Sequence, residues 1–129
     1  AARGDGLTGR PGETMERSRS QRTRSEGILL ADAEHTGIKE AVLDEIRELA
    51  RRYSVRRVVL FGSRARGDYW RGSDIDLAAE GGKIPEFALD VQDTTSTLLE
   101  FDIVDLSELP EGEFLDTIRR EWIVIYEEV

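Results

Sequence analysis

From Thr36 onward, apolar residues return at a helical interval. Ile38, Val42, Ile46, Leu49 and Tyr53 fall on one face of a helix that Thr36 is placed to cap, which predicts a first helix over 37–53. The run VRRVVLF at 55–61 is rich in β-branched residues and stops at Gly62, so it reads as a buried strand. A short helix follows from Ser63. SDIDLAA at 73–79 alternates polar and apolar positions, predicting a second strand closed by Gly81 and Gly82. Pro85 opens a helix over 86–99 with Phe87, Val91 and Leu98 turned inward. FDIVDL at 101–106 is a third strand, 113–121 a last helix, and WIVIY at 122–126 a fourth strand. Helices alternating with four strands predict one α/β domain, of the α+β kind, around a single sheet.

Ahead of this periodic region the composition changes. Residues 1–27 hold five of the twelve glycines, many Arg and Ser and almost nothing apolar, so 1–35 is expected to be a flexible Arg/Ser/Gly-rich tail and 36–129 the domain. Residues 1–14, ahead of Met15, read as natural extension or as added sequence. ILLADA at 28–33 is expected to form a short helical turn. The net charge of −9 lies beyond residue 35, because the six Arg and six acids before that point cancel. A domain so acidic is a poor nucleic-acid binder, since counterion release needs a positive surface. No apolar run approaches the ~18 residues that span a bilayer, which sets the expectation of a cytoplasmic protein. With no Cys and only His35, any metal must be held by carboxylates, which favours a hard ion such as Mg²⁺.

Three groups of residues carry candidate chemistry. Asp74 and Asp76 sit at i and i+2 of a predicted strand, so both carboxylates leave one face while Ile75 and Leu77 enter the core. Such a pair repels unless a cation lies between the two, although an exposed strand face merely decorated with acids gives the same pattern. Gly62-Ser63 stands where a strand breaks into a helix, presenting N–H groups and a hydroxyl as a phosphate cradle, with Arg64 and Arg66 beside it; ordinary turns look alike. Asp102 is a carboxylate inside an apolar strand, costly unless paired or ligated. If its strand neighbours the one holding Asp74 and Asp76, all three acids share a face. Asp105 has the opposite parity and is expected to cap the strand end. Tyr69 and Trp70 are expected at the surface, free to stack on a base, touch a partner or cover the sheet edge, and His35 is expected there too.

Gly62-Ser63, ten residues, then Asp74-Ile75-Asp76 resembles the GS-x10-DxD signature of the DNA polymerase β nucleotidyltransferase superfamily. LFGSRARGDYWRGSDIDLAAEG is similar in particular to its minimal nucleotidyltransferase branch, whose members serve as antitoxins to HEPN-type toxins. The resemblance runs from about residue 37 to 127 and leaves the tail aside. It implies a mixed four-stranded sheet with helices packed mainly on one face. It implies that Gly62 and Ser63 hold the NTP phosphates and that Asp74, Asp76 and Asp102 ligate two Mg²⁺ ions. Asp102 would also help deprotonate the acceptor, while Arg64 and Arg66 would neutralise phosphate charge or fix the turn. It further implies ATP as donor, AMP transfer to a toxin tyrosine, and a partner protein as acceptor, since so small a domain has no room for an acceptor domain. An antitoxin acting by contact alone and a transferase for a small molecule such as an antibiotic remain the other readings.

Overall fold

The computed structural model describes Arg24–Ser25, Ile28–Leu29 and residues 31–128, and the chain divides after Leu30 into two units. In the first unit, β1 (Arg24–Ser25) and β2 (Ile28–Leu29) pair antiparallel, Arg24 opposite Leu29. Of the tail expected over 1–35, residues 1–23, 26–27 and 30 lie outside the described residues. Ile28–Leu29 is a strand and not the expected helical turn.

The second unit opens with that turn a little later, as α1 (Ala33–Thr36). Asp32 caps it by accepting the His35 N–H at 2.8 Å, and Gly37 ends it in the left-handed region at φ 70°. Thr36, expected to cap the long helix, is otherwise engaged. Its hydroxyl donates to the Asp32 carbonyl at 2.7 Å and accepts the Ile38 N–H at 3.1 Å. The long helix α2 therefore starts later than expected, at Glu40–Arg52, behind an extended Lys39. Val42, Leu43, Ile46, Leu49 and Ala50 form its buried stripe.

Four strands follow: β3 (Arg57–Phe61), β4 (Ile75–Glu80), β5 (Phe101–Asp105) and β6 (Ile123–Glu127), in the sheet order β5-β4-β3-β6. Neighbours pair antiparallel except β4 and β5, which run parallel and are joined by α4 (Ile84–Thr94). Gly81 and Gly82 end β4 with φ 82° and 71°, and a Cβ on Gly82 would strike the Ser54 carbonyl. Only glycine fits there.

Strand parity sorts the interior into two faces. Val58, Leu60, Ile75, Leu77, Ala79, Ile123 and Ile125 join α2 and α4 in the main core. Val59, Phe61, Ala78 and Val124 are buried on the opposite side, as are Leu115 and Ile118 of α5 (Glu113–Glu121). The Phe61 and Phe114 rings meet edge to face at 6.0 Å. Two helices thus cover one face and one helix part of the other.

The α4 helix is shorter than its apolar spacing suggests. The Thr94 and Thr95 hydroxyls bond back to the Asp90 and Val91 carbonyls at 2.7 and 2.8 Å, a local bond that competes with continuing the helix. Gln92 then ties both backbone groups of Phe101, at 3.1 and 3.3 Å. Leu98, expected inward, lies beyond the helix end and is fully exposed.

Candidate active site

The sheet topology gathers four chain points at one end. β3 finishes there with Phe61, and β4, being antiparallel to it, starts there. β5 runs parallel to β4 and starts there too, as does β6, whose Ile123 lies opposite Leu60. Gly62, Asp74, Asp102 and Glu121 each adjoin one of those strand ends. Across the parallel pair, Asp76 is in register with Asp102, and across the antiparallel pair Asp76 faces Phe61. Register partners project from the same face, so the Asp76 and Asp102 carboxylates stand side by side. Asp74 is exposed and lies one residue before β4. The Ile75 N–H donates to the Glu100 carbonyl at 2.9 Å, which fixes the two strand starts together.

Electrostatics register this crowding. Half-buried Asp76 has its carboxyl pKa raised, first by burial, then by repulsion from Asp102 and from Asp74; Arg66 opposes this and Glu121 adds slightly to it. Among the described residues no three His, Cys, Asp or Glu side chains, Asp74, Asp76 and Asp102 included, come together as a cage that could hold a metal ion. Mg²⁺ needs no such cage, because it keeps several waters and binds through one or two carboxylates plus substrate phosphate. Asp76 and Asp102, side by side in register, are two such carboxylates.

Gly62 turns the chain at φ 79°, ψ −159°, and a Cβ there would run into the Asp76 carboxylate. The glycine lets the backbone lie directly against the acid. Ser63 opens the one-turn helix α3 (Ser63–Arg66) at its first position, where no preceding turn supplies a carbonyl for its N–H. The Gly62 N–H itself is taken by Glu121 Oε1 at 3.0 Å. Glu121 was not among the residues expected at the site. Nothing in RREWIVIY marks it, because its partner is 59 residues distant.

The two arginines play unlike parts. Arg64 is 1% exposed and spends its fork on three carbonyls, those of Ser73, Thr36 and Arg71, at 3.0, 2.9 and 2.9 Å. Its guanidinium also lies 4.6 Å from the Tyr69 ring centroid. Of the two expected roles, Arg64 has the geometry for fixing the turn: it fastens the stretch between Gly62-Ser63 and Asp74 to the end of α1. Arg66 stays exposed, bridging Asp68 at 3.1 Å and Glu121 at 3.0 Å. Trp70 is largely exposed and Tyr69 half-buried. Exposed His35 meets the Ala65 carbonyl through Nε2 at 2.8 Å. Asp105 accepts the Ser107 N–H at 2.9 Å, capping the strand end.

A strand-end glycine turn thus lies directly against Asp76, with Asp102 in register beside it. The family described as polymerase beta nucleotidyltransferase matches residues 44–129. This chain belongs to the polymerase beta nucleotidyltransferase family, a family of transferases. It is 30% identical over 86 residues to a Methanocaldococcus jannaschii protein provisionally named a protein adenylyltransferase, a match covering 65% of this chain and 83% of that one. Two solved structures share the fold. One is a toxin–antitoxin crystallised with AMP-PNP (TM-score 0.55, 21% identity, 67% of this chain and 73% of that one). The other is a mutant of the toxin–antitoxin MntA-HpeT (TM-score 0.53, 18% identity, 67% and 73%). Among the described residues no helix is long and apolar enough to cross a membrane.

Two predictions follow from this geometry. Lysine cannot reproduce a planar fork, so Arg64→Lys leaves buried carbonyls unpaired and should lower the unfolding free energy by about 2 kcal/mol or more in urea titration. An unchanged midpoint would mean that the three carbonyls do not depend on the guanidinium. The second concerns Asp76. An acid whose pKa is raised by folding binds its proton more tightly in the folded state, so stability is lost as pH rises from the ordinary 3.8 through the raised value. In metal-free buffer Asp76→Asn should therefore melt above wild type near pH ~7, with the gap closing toward pH ~3. A variant melting below wild type at neutral pH would contradict the crowding.

Proposed function

We propose that the protein is a Mg²⁺-dependent adenylyltransferase that moves AMP from ATP to a hydroxyl on a partner protein, the partner being a HEPN-type toxin. The observation that carries this reading is the register of β4 on β5, which sets Asp76 beside Asp102 and next to the Gly62 turn. Gly62 and Ser63 would receive the triphosphate, and Asp74, Asp76 and Asp102 would hold the metal. Bound Mg²⁺ would neutralise the phosphate oxygens and draw charge from the breaking bond. Asp102 takes the proton of the acceptor hydroxyl, whose oxygen then bonds to the α-phosphorus as the bond to pyrophosphate breaks. Arg66 stands beside this site as a cation for the phosphates, and Arg64 holds the turn.

Room for a protein acceptor supports the reading. An open cleft of about 380 Å³ lies between α4 and the edge strand β5, lined by Pro85, Leu89, Gln92 and Phe101, with Asp102 at its border. Exposed Leu89, Leu98 and Trp70 offer apolar area for contact. The name of the archaeal relative and the toxin–antitoxin structures favour a protein acceptor over an antibiotic, and the acidic charge disfavours RNA. ATP as donor sets the reaction in the cytoplasm.

The test is intact-mass analysis of the product of the neighbouring gene after incubation with this protein, ATP and Mg²⁺. The expected result is a gain of one AMP, reduced at least ~10²-fold by Asp74→Asn or Asp76→Asn. Tight binding with no mass gain, and neutralisation that survives Asp76→Asn, would replace this reading with that of an antitoxin acting by contact alone.

A further inference from the structure

Glu121 is an acid at this site to which the proposed chemistry assigns no part. We infer that it is a positioning residue for the nucleotide: its carboxylate, through the bond to the Gly62 N–H, holds the Gly62–Ser63 turn in the arrangement that receives a triphosphate. The inference rests on the nucleotidyl-transfer reading above.

One carboxylate makes two bonds. Oε1 accepts the Gly62 N–H at 3.0 Å, and Oε2 accepts from Arg66 Nη1 at 3.0 Å. The side chain is only 17% exposed, at the end of a helix whose Leu115 and Ile118 are buried. Glycine carries no Cβ to restrict its dihedrals, so a turn at φ 79° is held by the bonds made to it. The bond from Glu121 sets the peptide plane between Phe61 and Gly62. That plane decides where the next N–H and the Ser63 hydroxyl point relative to Asp76.

A charge argument sets the sign of the test. Glu121 adds to the negative potential felt by Asp76, in a place meant for a polyanion. If it acted only as a charge, removing it would tighten triphosphate binding. A positioning residue gives the reverse, because the loss of backbone order outweighs the relief of repulsion. Glutamine separates the two effects, since its amide oxygen can still accept the Gly62 N–H while the charge is gone.

The experiment is calorimetric titration of the full chain with a non-hydrolysable ATP analogue and Mg²⁺, with thermal melting as the check on folding. Glu121→Ala should weaken the analogue about tenfold, whereas Glu121→Gln should stay within about threefold of wild type. The transfer assay should show the same rescue by Gln relative to Ala. A purely structural role would lower the melting temperature of the alanine variant and leave its affinity, measured below that temperature, unchanged. If the alanine variant does not fold, Glu121→Asp, too short to reach the Gly62 N–H, takes its place with the same expected loss. Wild-type affinity or better in the alanine or aspartate variant overturns the inference alone. Failure of the wild type to bind any nucleotide overturns the nucleotidyl-transfer reading and this inference with it.

Discussion

Everything at this site depends on one pairing: β4 lies parallel to β5 with Asp76 beside Asp102. Neighbouring strands are ~5 Å apart, so two carboxylates in register are held at a distance they would avoid in solution. The sheet imposes this because the residues alternating with the acids are among the best buried of the fold, Ile75 and Leu77 at 0% exposure. Moving either strand by one residue would bring those apolar side chains to the open face. The core therefore supplies the free energy that keeps the acids together.

The positive side of the site is built mostly from backbone. Arg64 has the sequence position of a phosphate ligand but its guanidinium is consumed by three carbonyls, and Arg66 is shared between two carboxylates. Under the proposed reaction, the glycine turn and the start of α3 are left as the features that would face the phosphates. This places the burden on the fastenings of the turn: Arg64 beneath the loop that follows it, and Glu121 on the amide that begins it. An arginine buried among carbonyls suits the first task, since its donors lie in a fixed plane and reach three segments at once.

Much of this could be read before any coordinates. Period-two parity put Asp74 and Asp76 on one face, and the apolar neighbours of Asp102 marked it as an acid in a strand. Helix 113–121 was bounded as observed, because a glycine precedes it and an apolar run follows it. Other features turned on competing local bonds. Thr36 looked like the cap of the long helix, yet its hydroxyl closes the preceding turn. Leu98 continued the apolar spacing of α4, but two threonine hydroxyls end that helix first. Arg64 reads as a surface charge in any sequence scale, and only the folded positions of Thr36, Arg71 and Ser73 make its burial affordable. Glu121 was invisible for the plainest reason, since its partner lies 59 residues away across a strand pairing.

The strand order explains why the site collects where it does. In an all-parallel sheet, the end of one strand and the start of the next lie at opposite ends, and a helix must carry the chain between them. Here β3 runs against both β4 and β6, so the end of β3 coincides with the starts of β4, β5 and β6. A glycine turn leaving β3, acids entering β4 and β5, and a carboxylate entering β6 are then neighbours without any long excursion of the chain. Among the described residues α5 covers part of the second face, and Glu121 is its last residue. That helix ends where the acids begin, which leaves their carboxylates open to a substrate while the body of the sheet stays closed.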